Sequence, residues 1–411
     1  MSAGQFAGQK VVLGFSGGLD TSFCVKYLTR DLGMEVHSVL VDTGGFSDVE
    51  RAHIESHAKK LGVKSHTTVN AVQSYYERVI RYLVYGNVLK NQTYPLSVSA
   101  ERLVQALEMV RVAKELGIHN VAHGSTGAGN DQVRFDMIFH ILLPEARIFT
   151  PIRDLRISRE EEIAYLQKQG VEMDFKKSVY SINKGLWGTS VGGRETLKSL
   201  GRLPEEAWPT QVSKTAPEVV KLGFTQGQLT VVNGEKFAHP VEAIQKLSAI
   251  AAPFGIGRDI HVGDTIIGIK GRVGFEAAAP ILIIKAHHLL EKHVLSKAQQ
   301  NTKEILAQQY GNMLHEGQIL DPVMRDMEAY FEHSQEHVTG EVSIELMPYR
   351  YQMLGVESPY DLMASKSGQY GEMNSAWSGE DVRGFSKIFG NQIKIYHSIS
   401  GGASSGAGKT R

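Results

Sequence analysis

Cysteine is almost absent: Cys24 stands alone among 411 residues. One thiol leaves no intrachain disulfide and no cysteine-rich zinc site, and a reducing compartment suits such a chain. A net charge is missing too, with 44 Lys+Arg against 44 Asp+Glu. That balance argues against a chain built to coat a polyanion, because nucleic-acid-binding domains carry a basic excess. No apolar run approaches the ~20 residues that span a bilayer. The opening MSAGQFAGQK lacks the apolar core of a secretory signal. The expected address is the cytoplasm, with neither membrane nor nucleic acid as partner. Glycine, by contrast, is abundant at 42 residues, above the usual ~7%, and such excess marks backbone that turns tightly or approaches a ligand closely. The length implies two or three domains at roughly 100–200 residues each.

The first third alternates short apolar runs with helical patterns. Val11 to Phe15, Glu35 to Val41, Val63 to Val69 and Asn120 to His123 read as strands. Ser22 to Leu32, Ser47 to Leu61 (Ser47 as N-cap) and Glu101 to Leu116 (closed by Gly117) read as helices. Strand–helix alternation predicts a parallel sheet covered on both faces, in which ligands bind beyond the carboxyl ends of strands. The pattern then changes. Lys176 to Pro217 has little periodicity and reads as a long functional or unstructured loop. Gln228 to Ala238 reads as a hairpin turning at Asn233-Gly234. Helical patterns cover 240–252 and 283–310, strands 342–347 and 349–354, and a last amphipathic stretch 380–398. The closing GGASSGAGKTR is low-complexity and predicted disordered.

Two glycine-rich stretches follow strands directly. In the first, Gly14-Phe15-Ser16-Gly17-Gly18-Leu19-Asp20-Thr21-Ser22, adjacent glycines let backbone N–H groups converge on an anion at a helix start, and three hydroxyls stand by. Asp20 is an acid in a site suited to anions, which makes sense if it meets a cation or a donor side chain. The lysine of a Walker loop is missing. The plain structural alternative is a glycine turn with an N-capping residue. In the second stretch, His123 to Phe135, three glycines precede Asn130, Asp131 and Arg134. Such a set can hold a zwitterion, Asp131 meeting an ammonium and Arg134 a carboxylate; a glycine loop with a surface Asp–Arg pair is the alternative.

The first loop resembles the SGGxDS loop of ATP pyrophosphatases. Together the two are similar to those of the argininosuccinate synthase family, which carries SGGLDTS and then HG-x-TG-x-GNDQVRF. The likeness runs on through Tyr94-Pro95-Leu96 with Ser99 and Arg102, Tyr180-Ser181 with Leu186 and Ser190, Gly257-Arg258, Gly268, Lys270, Arg272, and Leu354 to Pro359. It implies ATP-dependent ligation of citrulline and aspartate to argininosuccinate, as in arginine biosynthesis and the urea cycle. The ureido oxygen would take the adenylyl group, releasing pyrophosphate, and the aspartate amine would displace AMP. No activating base is evident in the motifs, so rate would come from positioning and from stabilising the leaving charge, with Mg²⁺ accompanying ATP.

By this resemblance, ATP lies against Gly14, Phe15, Ser16, Gly17, Gly18, Leu19, Asp20, Thr21, Ser22, Val41, Gly124 and Gly129. Aspartate is held by Thr126, Asn130 and Asp131, and citrulline by Tyr94, Ser99, Asn130, Arg134, Ser181 and Ser190. Ser16, Asp20, Asn130 and Asp131 form the catalytic set, with Asp20 the candidate protein ligand for magnesium. The expected architecture is α/β: a doubly wound parallel ATP-binding domain over 1–175, an α+β substrate-binding and dimerising domain over 176–365, a helical oligomerisation arm over 366–400 bearing Phe385, Ile388, Phe389 and Ile393, and a tail over 401–411. The family is homotetrameric.

Three departures surround the citrulline residues. Gly263 and Phe275 stand where the family has Glu and Tyr, and Asn183-Lys184 stands where an Asp is common. The lost Glu is a natural partner for an α-ammonium. Either Asp264 substitutes for it, or the substrate is an N-acylated citrulline, with an extra carboxylate met by Lys184. Other motifs carry less. Gly408-Lys409-Thr410 fits a relaxed Walker pattern with no helix to follow; His333-x-x-Glu336-His337 and the His53/His57 pair read as solvated helix faces; Trp187 lines a pocket or pins the long loop. Rival readings are a tRNA-thiolating enzyme, which needs a catalytic cysteine and a tRNA surface, a glutamine-dependent synthetase, and an inactive nucleotide-binding regulator.

Overall fold

The computed structural model describes residues 6–173, 180–365, 370–371 and 376–400. The expected tail over 401–411 lies outside the described residues. Those described group into two compact units, one up to Tyr360 and one from Asp361. Among them no helix is long and apolar enough to cross a membrane.

The first sheet is parallel, with five strands: β1 (Lys10–Gly14), β2 (Glu35–Asp42), β3 (Ser65–Asn70), β4 (Asn120–Ala122) and β5 (Ile148–Phe149). Val11, Val12 and Leu13 are wholly buried, as a central parallel strand covered on both faces requires. The longer helices around this sheet are α1 (Leu19–Lys26), α2 (Asp48–Leu61), α3 (Ser97–Glu115), α4 (Asp131–Leu142) and α5 (Arg159–Lys168). Ser47 and Glu50 cap α2 reciprocally, and Gly62 ends it in the left-handed region. The strand order is β3-β2-β1-β4-β5. The chain therefore builds outward from β1 on one side, then returns to its other side at β4. The crevice at the carboxyl ends of β1 and β4 is the switch point where such sheets take ligands.

Two antiparallel sheets complete the first unit. One, ordered β10-β9-β8-β13-β14, contains β8 (Glu218–Thr225), β9 (Gln228–Val232), β10 (Glu235–Lys236), β13 (Gly340–Met347) and β14 (Arg350–Glu357), with the Asn233-Gly234 turn where it was expected. The other, ordered β11-β12-β7-β6, contains β6 (Ser181–Gly185), β7 (Gly188–Gly192), β11 (Arg258–Asp264) and β12 (Lys270–Glu276). Strands β6 and β7 correct the reading of 176–217 as a loop. Their residues are mostly small and polar, and the second partner of β7, β12, lies far along the chain. Around the sheets pack α6 (Pro240–Ala251), α7 (Ala278–Val294), α8 (Lys297–His315) and α9 (Pro322–Ser334). The helical pattern over 283–310 is divided between two helices, because Ser296 caps a new start with Gln299. Helix α9 ends at Ser334, inside the His333–His337 motif, and the described residues hold no group of three or more metal-ligating side chains.

Trp187, in the turn between β6 and β7, is fully buried and donates its indole N–H to the Pro95 carbonyl at 2.9 Å. Beside it, Leu186 N–H bonds the Thr43 carbonyl, and a Cβ on Gly45 would lie 1.9 Å from the Lys184 carbonyl oxygen. The hairpin is thus clamped over the end of β2, and Trp187 is a pin. In the second unit, α10 (Gly379–Phe389) and α11 (Asn391–Ile399) leave Phe385, Ile388, Phe389 and Ile393 exposed. Trp187→Ala is expected to destabilise the protein by ~3–5 kcal/mol and Trp187→Phe by only about 1–2 kcal/mol, read from urea midpoints.

Candidate active site

The loop after β1 holds its shape through its own atoms. Gly17 adopts φ +79°, open to glycine at little cost. Thr21 Oγ1 and Ser22 Oγ both donate to the Gly18 carbonyl, at 3.2 and 2.7 Å. Ser22 is buried and also meets His57 Nε2 at 2.9 Å, so its hydroxyl braces the loop. Phe15 and Val41 are core residues at the crevice floor. Ser16 and Gly18 remain exposed, and α1 begins at Leu19 with Asp20 in its first turn. Backbone N–H groups and a positive helix end there suit an anion. The second loop leans on the first: a Cβ on Gly124 would lie 3.4–3.5 Å from Thr21 and Asp20.

Asp20 has a neighbour that the sequence reading passed over. Glu162 of α5 is 3% exposed and hydrogen-bonds Asp20, while its Oε2 is buried without a partner. Burial, then the Asp20 charge, push Glu162 up to about 8; burial also raises Asp20, against the nearby Arg159. Two carboxyls with an unsatisfied oxygen fit a hard, oxygen-seeking divalent cation. The available signal was an acid on the apolar stripe of α5, one turn before Leu166.

Asp131 opens α4 and is gripped from two sides. Arg134 donates to one carboxylate oxygen at 2.8 Å and Arg102 to the other at 3.0 Å. Burial pushes this carboxyl up, but the two guanidiniums outweigh it and hold Asp131 below the usual range. About a third of the side chain, 32%, still reaches solvent. Arg102 continues to Asn183 Oδ1 at 2.5 Å, and Asn183 reaches Ser190 Oγ at 3.5 Å. Arg134 is buried and also donates to Ser99 Oγ and the His315 carbonyl. Ser99 meets His315 Nδ1 at 2.9 Å, and burial with Arg134 pushes that imidazole down to about 3, so it is neutral. Asn130 Oδ1 accepts from Ile266 N–H at 2.8 Å, tying the second loop to the β11–β12 turn. Thr126 is exposed, and Gly129 gives its carbonyl to Gln132.

The four-stranded sheet supplies a wall. Opposed residues share a face, and faces alternate along a strand. The register pairs Asn183 with Ser190, Ser190 with Phe275, His261 with Val273 and Gly263 with Gly271. Ser181, Asn183, Ser190, Phe275, His261 and Gly263 therefore share one face. Tyr94 packs on it, its ring 5.0 Å from His261 and 5.3 Å from Phe275, its hydroxyl accepting from Val98 N–H. Ser181 is exposed at the sheet's edge. His261 fills the space beside Gly263, where a Cβ would lie 2.6 Å from its Nε2. Asp264 and Lys184 belong to the opposite face. Asp264 pairs there with Lys270 at 2.6 Å, and the Lys184 charge acts on Glu50.

A doubly wound sheet with two glycine loops at its switch point, joined to an α+β half that walls the crevice, defines a nucleotide-handling enzyme. The comparisons narrow this. Residues 10–172 match the family model described as the arginosuccinate synthase N-terminal HUP domain, and residues 180–396 the corresponding C-terminal domain. Argininosuccinate synthase of Methanocaldococcus jannaschii is 37% identical, covering 94% of this chain and 97% of that protein. Those of Xanthomonas campestris and Dictyoglomus thermophilum are 36% and 35% identical, over 95% and 96% of this chain and 98% of each relative. The chain belongs to the argininosuccinate synthase family, and is a ligase.

Asp131→Asn would leave two buried guanidiniums undercompensated, and a loss of about 2–4 kcal/mol is expected, less than for a fully buried pair because Asp131 is partly solvated. Because Asp131 is held below the unfolded value of ~3.9, its contribution is complete above that pH and lost as pH falls through the folded value. The acid limb of the stability–pH curve should therefore flatten in the variant, as followed by urea denaturation between neutral and acid pH.

Proposed function

We propose that this chain joins citrulline to aspartate, consuming ATP and releasing AMP and pyrophosphate. The observation that carries this reading is the contact of the Ser16–Ser22 loop with Gly124 at the β1/β4 crevice, in a chain of this family. The backbone N–H groups around Ser16–Gly18, the hydroxyl of Ser16 and the start of α1 receive the phosphates. Magnesium, carried with ATP and met by Asp20, would supply charge neutralisation at the departing pyrophosphate. The Asp131 carboxylate faces an ammonium, and its two guanidiniums keep it ionised. Asn130 stands between the nucleotide loop and the substrate wall. Tyr94, Ser99, Ser190 and Arg134 shape the citrulline end. The chemistry rests on holding the ureido oxygen in line with the α-phosphorus and on stabilising the leaving charge.

Pyrophosphate release should require ATP and citrulline, and argininosuccinate formation aspartate as well. Ser16→Ala and Asp20→Ala, shown folded by circular dichroism, should each lower kcat by about 10²–10³-fold, the scale on which loss of one transition-state charge stabiliser is felt. Undiminished AMP formation in both would refute the reading. Free citrulline is the proposed acceptor, since Lys184 faces away from the wall; turnover of N-acetyl- or N-succinyl-citrulline in preference to citrulline would reassign it.

We also propose that the arm carrying Phe385, Ile388, Phe389 and Ile393 joins copies of this chain into a homotetramer. Its exposed apolar side chains would be costly to leave in water. A Phe385→Asp/Phe389→Asp double variant should sediment as a smaller species than the wild type.

A further inference from the structure

Glu162 is placed unlike its neighbours in the acidic start of α5. Glu160 and Glu161 are exposed, whereas Glu162 is 3% exposed on the stripe that carries Leu166. A buried carboxyl normally satisfies both oxygens, and an orphaned one is costly. Here one oxygen is orphaned and the carboxyl is turned onto a second acid, Asp20. Two acids drawn together out of water, one with an oxygen to spare, either share a single proton or take a cation between them.

The surroundings specify its kind. Around Asp20 and Glu162 stand the Cys24 thiol of α1 and Arg159 of α5, whose charge acts on both acids; from the second loop, Gly124 lies against Asp20. Cys24, one turn on from Asp20 along α1, is wholly buried. What remains is a carboxylate-oxygen set suited to magnesium or manganese and unsuited to zinc. The pair opens on the phosphate side through Asp20, which is partly exposed, and is closed behind by Glu162.

We propose that Glu162 is the second protein ligand of the divalent cation that accompanies the nucleotide, closing from behind a site that Asp20 opens toward the phosphates. This rests on the reading of the Ser16–Ser22 loop as the nucleotide site. The test is calorimetric titration of the full-length protein with ATP, in magnesium and in EDTA, for wild type and Glu162→Gln, alongside Mn²⁺ titration without nucleotide followed by electron paramagnetic resonance. Glutamine keeps the volume and can still donate to Asp20. The gain in ATP affinity conferred by magnesium should shrink by about tenfold or more in Glu162→Gln, with ATP affinity in EDTA and the melting temperature in EDTA little changed, and Mn²⁺ binding should weaken in parallel. Glu162→Asp, which keeps the charge, should recover part of both and serves if the glutamine variant does not fold. A magnesium-dependent gain equal to wild type in a folded Glu162→Gln protein overturns the proposal and leaves the ligase reading intact. Failure of the wild type to bind ATP in either medium overturns the nucleotide reading beneath it.

Discussion

Asp131 is held between two guanidiniums, and that bridge ties the halves of the site together. Arg134 and Asp131 lie on one helix, Arg102 on another, and Arg102 passes the connection to Asn183 in the four-stranded sheet. Two arginines taken out of water require an acid, and an acid between two arginines remains ionised. The arrangement therefore fixes a negative charge beside the second glycine loop and fixes the distance from that loop to the substrate wall. Ser99, Ser190 and the His315 carbonyl are the chain's outer links, each anchored through one of these side chains.

The phosphate side works by a different economy. There the groups are mostly backbone, and what positions them is sheet order. With β1 flanked by β2 and β4, helices depart to opposite faces and leave a gap at the strand ends. The loop that fills it is shaped by hydroxyls turned inward onto Gly18, leaving Ser16 outward. Asp20, in the first turn of α1, lies beside Glu162, so the one acid of the loop is where the exposed backbone donors and the buried carboxyl meet.

The wall shows how strand alternation distributes neighbours. Phe275 sets its ring against Tyr94, and His261 occupies the volume beside Gly263. Strand alternation decides which neighbours can compensate. Asp264 is one residue from Gly263, and that single step puts its carboxylate on the other face with Lys270. Sequence adjacency in a strand is thus a poor guide to substitution, whereas a residue two positions away, His261, is a direct neighbour.

Both glycine loops, the strands and helices around them, and the Asn233-Gly234 hairpin were legible along the chain, because turn chemistry, capping residues and local periodicity act over a few residues. Glu162, Arg102's reach to Asn183 and the β6–β7 hairpin were not, because each is defined by a partner distant in sequence. Small polar strands show no period-two contrast, so Ser181–Gly192 read as loop until β12 supplied its edge. The sequence by itself determined where backbone could bend around an anion and which acids and bases were on hand. Only the tertiary structure decided which of those charges face one another, since burial and strand register, not spacing, set the electrostatic neighbours.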